Sequence, residues 1–167
     1  LMLGQKKKSV LIRYIIVFYF VWTVFEFFIK DAIDSLIPNN VLSQIVKSGI
    51  IKNLVWTVPA FMLISKFCVS ITLKEMFTTK VNGLKYLPLF ILFTVYLLVG
   101  AILEKGGLAL AKDFGADEII IVLFVGLTEE MVFRGWLLNA TITEENKWKC
   151  IILNAVMFLA IHFPSWI

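Results

Sequence analysis

The chain has 167 residues, 60% hydrophobic and 17% charged, with a mean hydropathy of +0.90 and a net charge of +4. A typical soluble domain is roughly half apolar and a quarter charged, so the composition excludes a soluble globular domain and points to an integral membrane protein. The charge is too small and dispersed for a nucleic-acid partner, the two cysteines (Cys68, Cys150) make no disulfide scaffold, and the length holds one membrane domain, residues 1–167, of about four to six spans.

Lys6, Lys7 and Lys8 precede the first apolar run and read as a cytoplasmic anchor. Residues 10–29 form the first span, too long and too aromatic for a cleavable signal, with Glu26 read as an interface residue near its far end. Residues 30–53 are polar enough to leave the bilayer core. There Val41, Leu42, Ile45, Val46 and Ile50 fall at helical spacing behind a capping Asn39-Asn40, so a short amphipathic surface helix is expected.

Residues 54–73 form the second span; Pro59 should bend it or sit where a neighbour satisfies the freed carbonyl, and Lys66 lines a cavity, pairs with an acid or snorkels outward. A basic turn with Asn82-Gly83 follows, then an uncharged third span over residues 86–103 with Pro88 at its start. Residues 104–117 are a loop carrying Glu104 and Asp113. A helix over residues 118–142, a polar turn over 143–147 and an apolar run over 148–163, stopped by Pro164, complete an all-α, polytopic transmembrane helical bundle of about five spans. One side then holds Lys6, Lys7, Lys8, Lys74, Lys80, Lys85, Lys147 and Lys149, the other Lys30, Lys47, Lys52, Lys105 and Lys112. This bias of eight to five puts the N-terminus in the cytoplasm and the protein in the cell membrane.

The run from Asp117 to Ile142 carries two adjacent carboxylates, Glu129 and Glu130, near its middle. An ionised group at the bilayer centre costs from about 2.5 to well over 10 kcal/mol, so such residues usually face a protein interior or a wet cavity. Glu130 and Arg134 share a helix face and can pair, while Glu129, turned about 100° away, is left without that partner and free to act as a base. The single histidine, His162, lies on the next apolar run. Glu130 is twelve residues before Ile142 and His162 twelve after Cys150, so an antiparallel hairpin brings both to one depth, roughly 18 Å at about 1.5 Å per residue. Asn154, Phe158 and His162 line one face of that last run. A carboxylate and an imidazole sharing a water are the parts that activate water against a carbonyl. Hydrolytic zinc needs three protein ligands and an open position. With two carboxylates, one imidazole and no HExxH, the expectation is metal-free chemistry with no cofactor.

Glu129-Glu130-Met131-Val132-Phe133-Arg134, followed by Phe158-Leu159-Ala160-Ile161-His162, resembles the first two motifs, EExxxR and FxxxH, of the CAAX protease and bacteriocin-processing family. This is also called the Abi family of intramembrane glutamic endopeptidases. The resemblance covers about residues 117–164. It implies a helical membrane protein with a cavity, in which Glu129 and His162 are the catalytic pair that activates water for peptide-bond cleavage. Glu130 and Arg134 would be the supporting ion pair, with Glu130 also catalytic in some members, and Asn154 and Phe158 would support the site. The family's third motif resembles an oxyanion-hole supplier, a histidine followed four residues on by asparagine or a similar residue. It is not in this sequence, and the motif-bearing core is read as incomplete at its C-terminus. The partners expected are the lipid bilayer and a peptide or protein substrate. A non-catalytic immunity or partner-binding protein on a degenerate protease fold is the alternative; a proton relay through Glu26, Lys66, Glu129 and Glu130 is the third reading.

Overall fold

In the computed structural model the described residues, 2–67, 71–108 and 115–166, contain helices and turns and no strand. Cys68, Lys112 and Asp113 lie outside them. The chain divides into two compact units, residues 1–77 with 116–167, and residues 78–115.

In the first unit, helix α1 runs as Met2–Val24, widens to a π-helix over Phe25–Ile29 and continues as Lys30–Leu36, past the end expected at residue 29. The polar extension stays helical because Lys30 pairs with Glu26 one turn back at 3.2 Å, and because Asp34 accepts from Ser43 Oγ and Lys47 Nζ. Pro38 disfavours helix at Ile37, where the backbone leaves the helical region at φ −123° and ψ 85°.

Helix α2 begins at the expected cap, Asn39 accepting from the Leu42 backbone N–H at 3.0 Å. It is not the short surface helix expected: Asn40–Gln44, Ile45–Ile51, Asn53–Thr57 and Val58–Phe67 follow one another as one helix spanning Asn40–Phe67. The polar residues that suggested water around residues 40–53 face inward instead, with Ser43, Lys47, Ser48 and Lys52 all buried. Lys52 is paired inside the fold with Glu129, and Lys47 is paired at its edge with Asp34, which removes the reason to leave the bilayer. Pro59 stands in the first turn of Val58–Phe67, directly after a π segment. A proline ring clashes with the carbonyl four residues back, and the wider π turn relieves that clash. Lys66 is exposed.

Helix α3, Leu73–Thr78, forms inside the stretch expected to be a turn. Thr72 and Glu75 make a reciprocal capping box: Glu75 Oε2 accepts from Thr72 N, and Thr72 Oγ1 accepts from Glu75 N. The second unit holds α4, a 3-10 turn over Gly83–Tyr86 leading into Leu87–Lys105, with Pro88 in its first turn. Gly106 closes α4 at φ +72°, a left-handed conformation that costs glycine nothing, and donates to Ile102 O at 2.9 Å. Gly83–Glu104 has a mean hydropathy of 2.3 and none of it is buried, as suits a helix solvated by lipid.

Helix α5 returns to the first unit as Ala116–Glu130, passes into a π-helix over Met131–Leu138 and ends with Asn139–Thr141. Asn146 closes the turn, accepting from Thr143 N at 2.7 Å and donating to Thr141 O at 3.2 Å. Helix α6 is Lys147–Ala160, followed by a 3-10 turn over Phe163–Trp166. By length and composition three helices can cross a membrane: Lys6–Leu36, Asn40–Phe67 and Gly83–Glu104. Of the five spans expected, the last two fall short of that standard. Helix α5 carries Glu129, Glu130 and Arg134 in its middle, and α6 has 14 residues.

The core lies where α1, α2, α5 and α6 meet, around Trp56, Phe133, Trp136, Ile64, Val132 and Ile161. Lipid is as apolar as these side chains, so close packing rather than expulsion from water holds them together. Ala60 is fully buried, and a Cβ at Gly135 would meet Met131 Cε at 3.3 Å and Ile64 Cδ1 at 3.5 Å, so small residues bring α2 and α5 together. Edge-to-face rings continue the core toward the motifs: Phe18 on Trp56 at 4.8 Å, Trp56 on Phe133 at 6.1 Å, and Phe133 on Phe158 at 5.2 Å.

Candidate active site

Glu129 and Glu130 are the last residues of α5 before it widens into the π segment Met131–Leu138. π turns inside α-helices are rare, shift the side-chain register and concentrate at functional sites. The two consecutive carboxylates precede this segment on regular α-helix, one step of about 100° apart, and face different ways. Glu129 points inward, its side chain 13% exposed. Glu130 points outward at 60%, with Arg134 Nη1 3.3 Å from its Oε1.

Helix α6 supplies the imidazole. His162 Nδ1 lies 2.8 Å from the Phe158 carbonyl, which can only accept, so Nδ1 carries the proton. In the neutral ring Nε2 is then the acceptor, and it stands 3.6 Å from Glu129 Oε1. Two acceptors facing each other suit a molecule with two protons to give, and water is one. Phe158 fixes the ring from below, with centroids 5.0 Å apart, and carries the Arg134 guanidinium 4.7 Å from its own centroid. Asn154 is buried and donates from Nδ2 to the Phe133 carbonyl at 2.8 Å, satisfying a polar group of the π segment. Asn154, Phe158 and His162 thus all meet α5.

Of the residues singled out in the sequence, Glu129, His162, Phe158 and Asn154 come together on the α5–α6 face. Glu130 does not join His162 by any hydrogen bond or ion pair; its partner is Arg134, as the spacing suggested. Glu129 departs from expectation, because it has a cation of its own: Lys52 Nζ is 2.9 Å from Oε1. Glu26, read as an interface residue, pairs with Lys30 and lines a chamber of about 240 Å³ shared with Gln44, Ser48 and Lys52. Lys52 is the site residue that sequence reasoning missed. A signal for it was present, since Ser43, Lys47, Ser48 and Lys52 recur at four to five residues, a polar stripe that must face inward if the helix crosses lipid. No three His, Cys, Asp or Glu side chains gather as a metal donor set among the described residues, and the cation beside Glu129 is the Lys52 ammonium.

EExxxR on one helix and FxxxH on the helix packed against it are the two motifs by which this chain resembles the CAAX-type intramembrane proteases. Residues 116–167 match the family model described as Rce1-like, Type II CAAX prenyl endopeptidase Rce1-like, in agreement with the resemblance carried by the two motifs. The match spans α5, α6 and the turn after them. No curated protein and no solved structure matches the chain.

Proposed function

We propose that the chain is an intramembrane endopeptidase that uses a water held between Glu129 and His162. The observation that carries this reading is the 3.6 Å approach of Glu129 Oε1 to the acceptor face of the His162 ring. The water donates a hydrogen bond to each and gives one proton to the pair as its oxygen adds to the scissile carbonyl carbon. The carbonyl π electrons move to oxygen, the tetrahedral oxyanion collapses, the C–N bond breaks, and the proton held by the pair passes to the departing amine. Glu130 and Arg134 brace the outer face of α5. The type of protein named in the family description suggests a prenylated C-terminal peptide as substrate, and the basic cluster Lys6, Lys7 and Lys8 supports a cytoplasmic N-terminus in a cell membrane.

The test is cleavage of a fluorogenic prenylated peptide, and of its unprenylated counterpart, by the complete protein in liposomes. Glu129→Gln and His162→Ala should each lower kcat by about 10²–10⁴-fold, the range of general acid–base contributions. Undiminished cleavage by both variants would overturn the reading. A second reading, a non-catalytic immunity or partner-binding protein, draws on the Lys52–Glu129 ion pair, which supports packing without chemistry. It predicts protection of the producing cell that survives His162→Ala and is lost when the Lys52–Glu129 pair is broken.

A further inference from the structure

Lys52 is the charged group of the site that water activation between Glu129 and His162 leaves unused, and its surroundings are built around it. It is a single residue between two π segments, Ile45–Ile51 and Asn53–Thr57, and its side chain is 8% exposed. Its Nζ donates to Glu129 Oε1, the same oxygen that faces His162. Indole rings take up other sides of the ammonium, Trp56 with its centroid at 4.4 Å and Trp22 at 5.6 Å. An aromatic face attracts a cation by its quadrupole without accepting its proton, so this cradle fixes the charge and leaves the hydrogen-bonding capacity for the carboxylate. Trp56 is itself fully buried in the core, which makes the cradle rigid.

We propose that Lys52 is the positioning residue of the active site: its ammonium anchors the Glu129 carboxylate at membrane depth and turns Oε1 toward His162. A carboxylate without a nearby cation in such a setting takes up a proton or swings toward water, and either change removes the acceptor that orients the attacking water. Lys52 reaches the substrate only through Glu129, so its influence belongs on turnover rather than on substrate binding. The assignment rests on the endopeptidase reading and adds to it a residue outside both motifs.

The experiment compares Lys52→Gln, which keeps a hydrogen-bond donor and removes the charge, with Lys52→Arg, which keeps the charge, in the liposome assay beside Glu129→Gln and His162→Ala. Lys52→Gln should lower kcat about 30-fold or more with KM within about threefold, and Lys52→Arg should hold kcat within about tenfold of the unmodified protein. Adding Lys52→Gln to Glu129→Gln should cost less than about threefold further, because the two residues act as one unit. A folded Lys52→Gln protein with kcat unchanged, or equal loss in the Gln and Arg variants, overturns the assignment while the motif variants still report the protease. Where Lys52→Gln does not fold, Lys52→Arg decides: a kcat as low as that of Glu129→Gln overturns it. Cleavage that survives Glu129→Gln and His162→Ala removes the protease reading and the Lys52 role together.

Discussion

Glu129 and Glu130 are consecutive residues of one helix, and the structure treats them as belonging to different regions of the molecule. Glu129 looks inward at Lys52 and His162, while Glu130 looks outward and pairs one turn along with Arg134. The local sequence is the same for both. Two things outside it make the difference, the 100° step between successive helical residues and the presence on α2 of a buried ammonium at the matching level. The inner carboxylate is held by tertiary structure and the outer one by its own helix. That distinction gives the two carboxylates of one Glu-Glu dipeptide different partners on different elements.

The largest expected effect tests the inner pair against the outer one. Glu129→Ala leaves the Lys52 ammonium buried without its partner, and breaking a buried pair this way costs about 3–5 kcal/mol. Arg134→Ala breaks an exposed i,i+4 pair worth about 0.3–0.5 kcal/mol and gives up the guanidinium contact with the Phe158 ring, worth about 0.5–1 kcal/mol. Thermal unfolding in detergent micelles measures both, and replacing Lys52 and Glu129 together with Met and Leu should recover most of the first loss. Equal losses in the two single variants would mean that the inner and outer carboxylates are not distinguished as described.

A buried neutral clasp on the same helix sharpens the comparison. Asn139, in the deeply packed half of α5, accepts from Ile71 N at 2.9 Å and donates to Ile71 O at 2.7 Å, pinning the backbone just before α3. Asn139→Ala removes both hydrogen bonds from the backbone of Ile71, an exposed residue, a loss of about 0.5–1.5 kcal/mol for each bond. The same unfolding measurement should place it between Glu129→Ala and Arg134→Ala. A loss as small as that of Arg134→Ala would show that water replaces the clasp.

The parts of this fold legible in the sequence are those fixed by neighbouring residues. The all-helical class, the Asn39 cap, the proline at the start of α4 and the Glu130–Arg134 pair all follow from spacings within one element. The approach of α6 to α5 was legible as well, because Glu130 and His162 stand at equal distances from their ends of one short turn. Lys47 and Lys52 read as surface charges, since a lysine carries no sign of its partner when that partner is thirteen or seventy-seven residues away. The π segments were illegible for a related reason. Two of them, Asn53–Thr57 before Pro59 and Met131–Leu138 after Glu129, answer constraints that exist only once the helices are packed.

The smallest effect concerns a carboxylate on neither side of this contrast. Glu75 is exposed and outside the candidate spans; backbone and side-chain hydrogen bonds from Thr72 keep its carboxyl below its ordinary value. A folded-state value depressed below the unfolded one contributes stability that is fully present above the unfolded value, and that is lost as pH falls through the folded one. The start of α3 should therefore be protected near neutral pH and fray in acid, below the ordinary carboxylate value of about 4.5. Amide exchange over residues 73–78, followed by mass spectrometry from pH 7 to pH 3 with correction for intrinsic exchange rates, reads this directly. Glu75→Gln should flatten the profile, because its amide carries no charge to lose. A variant profile with the same acid limb would assign the fraying to another group and leave the capping box without a role in it.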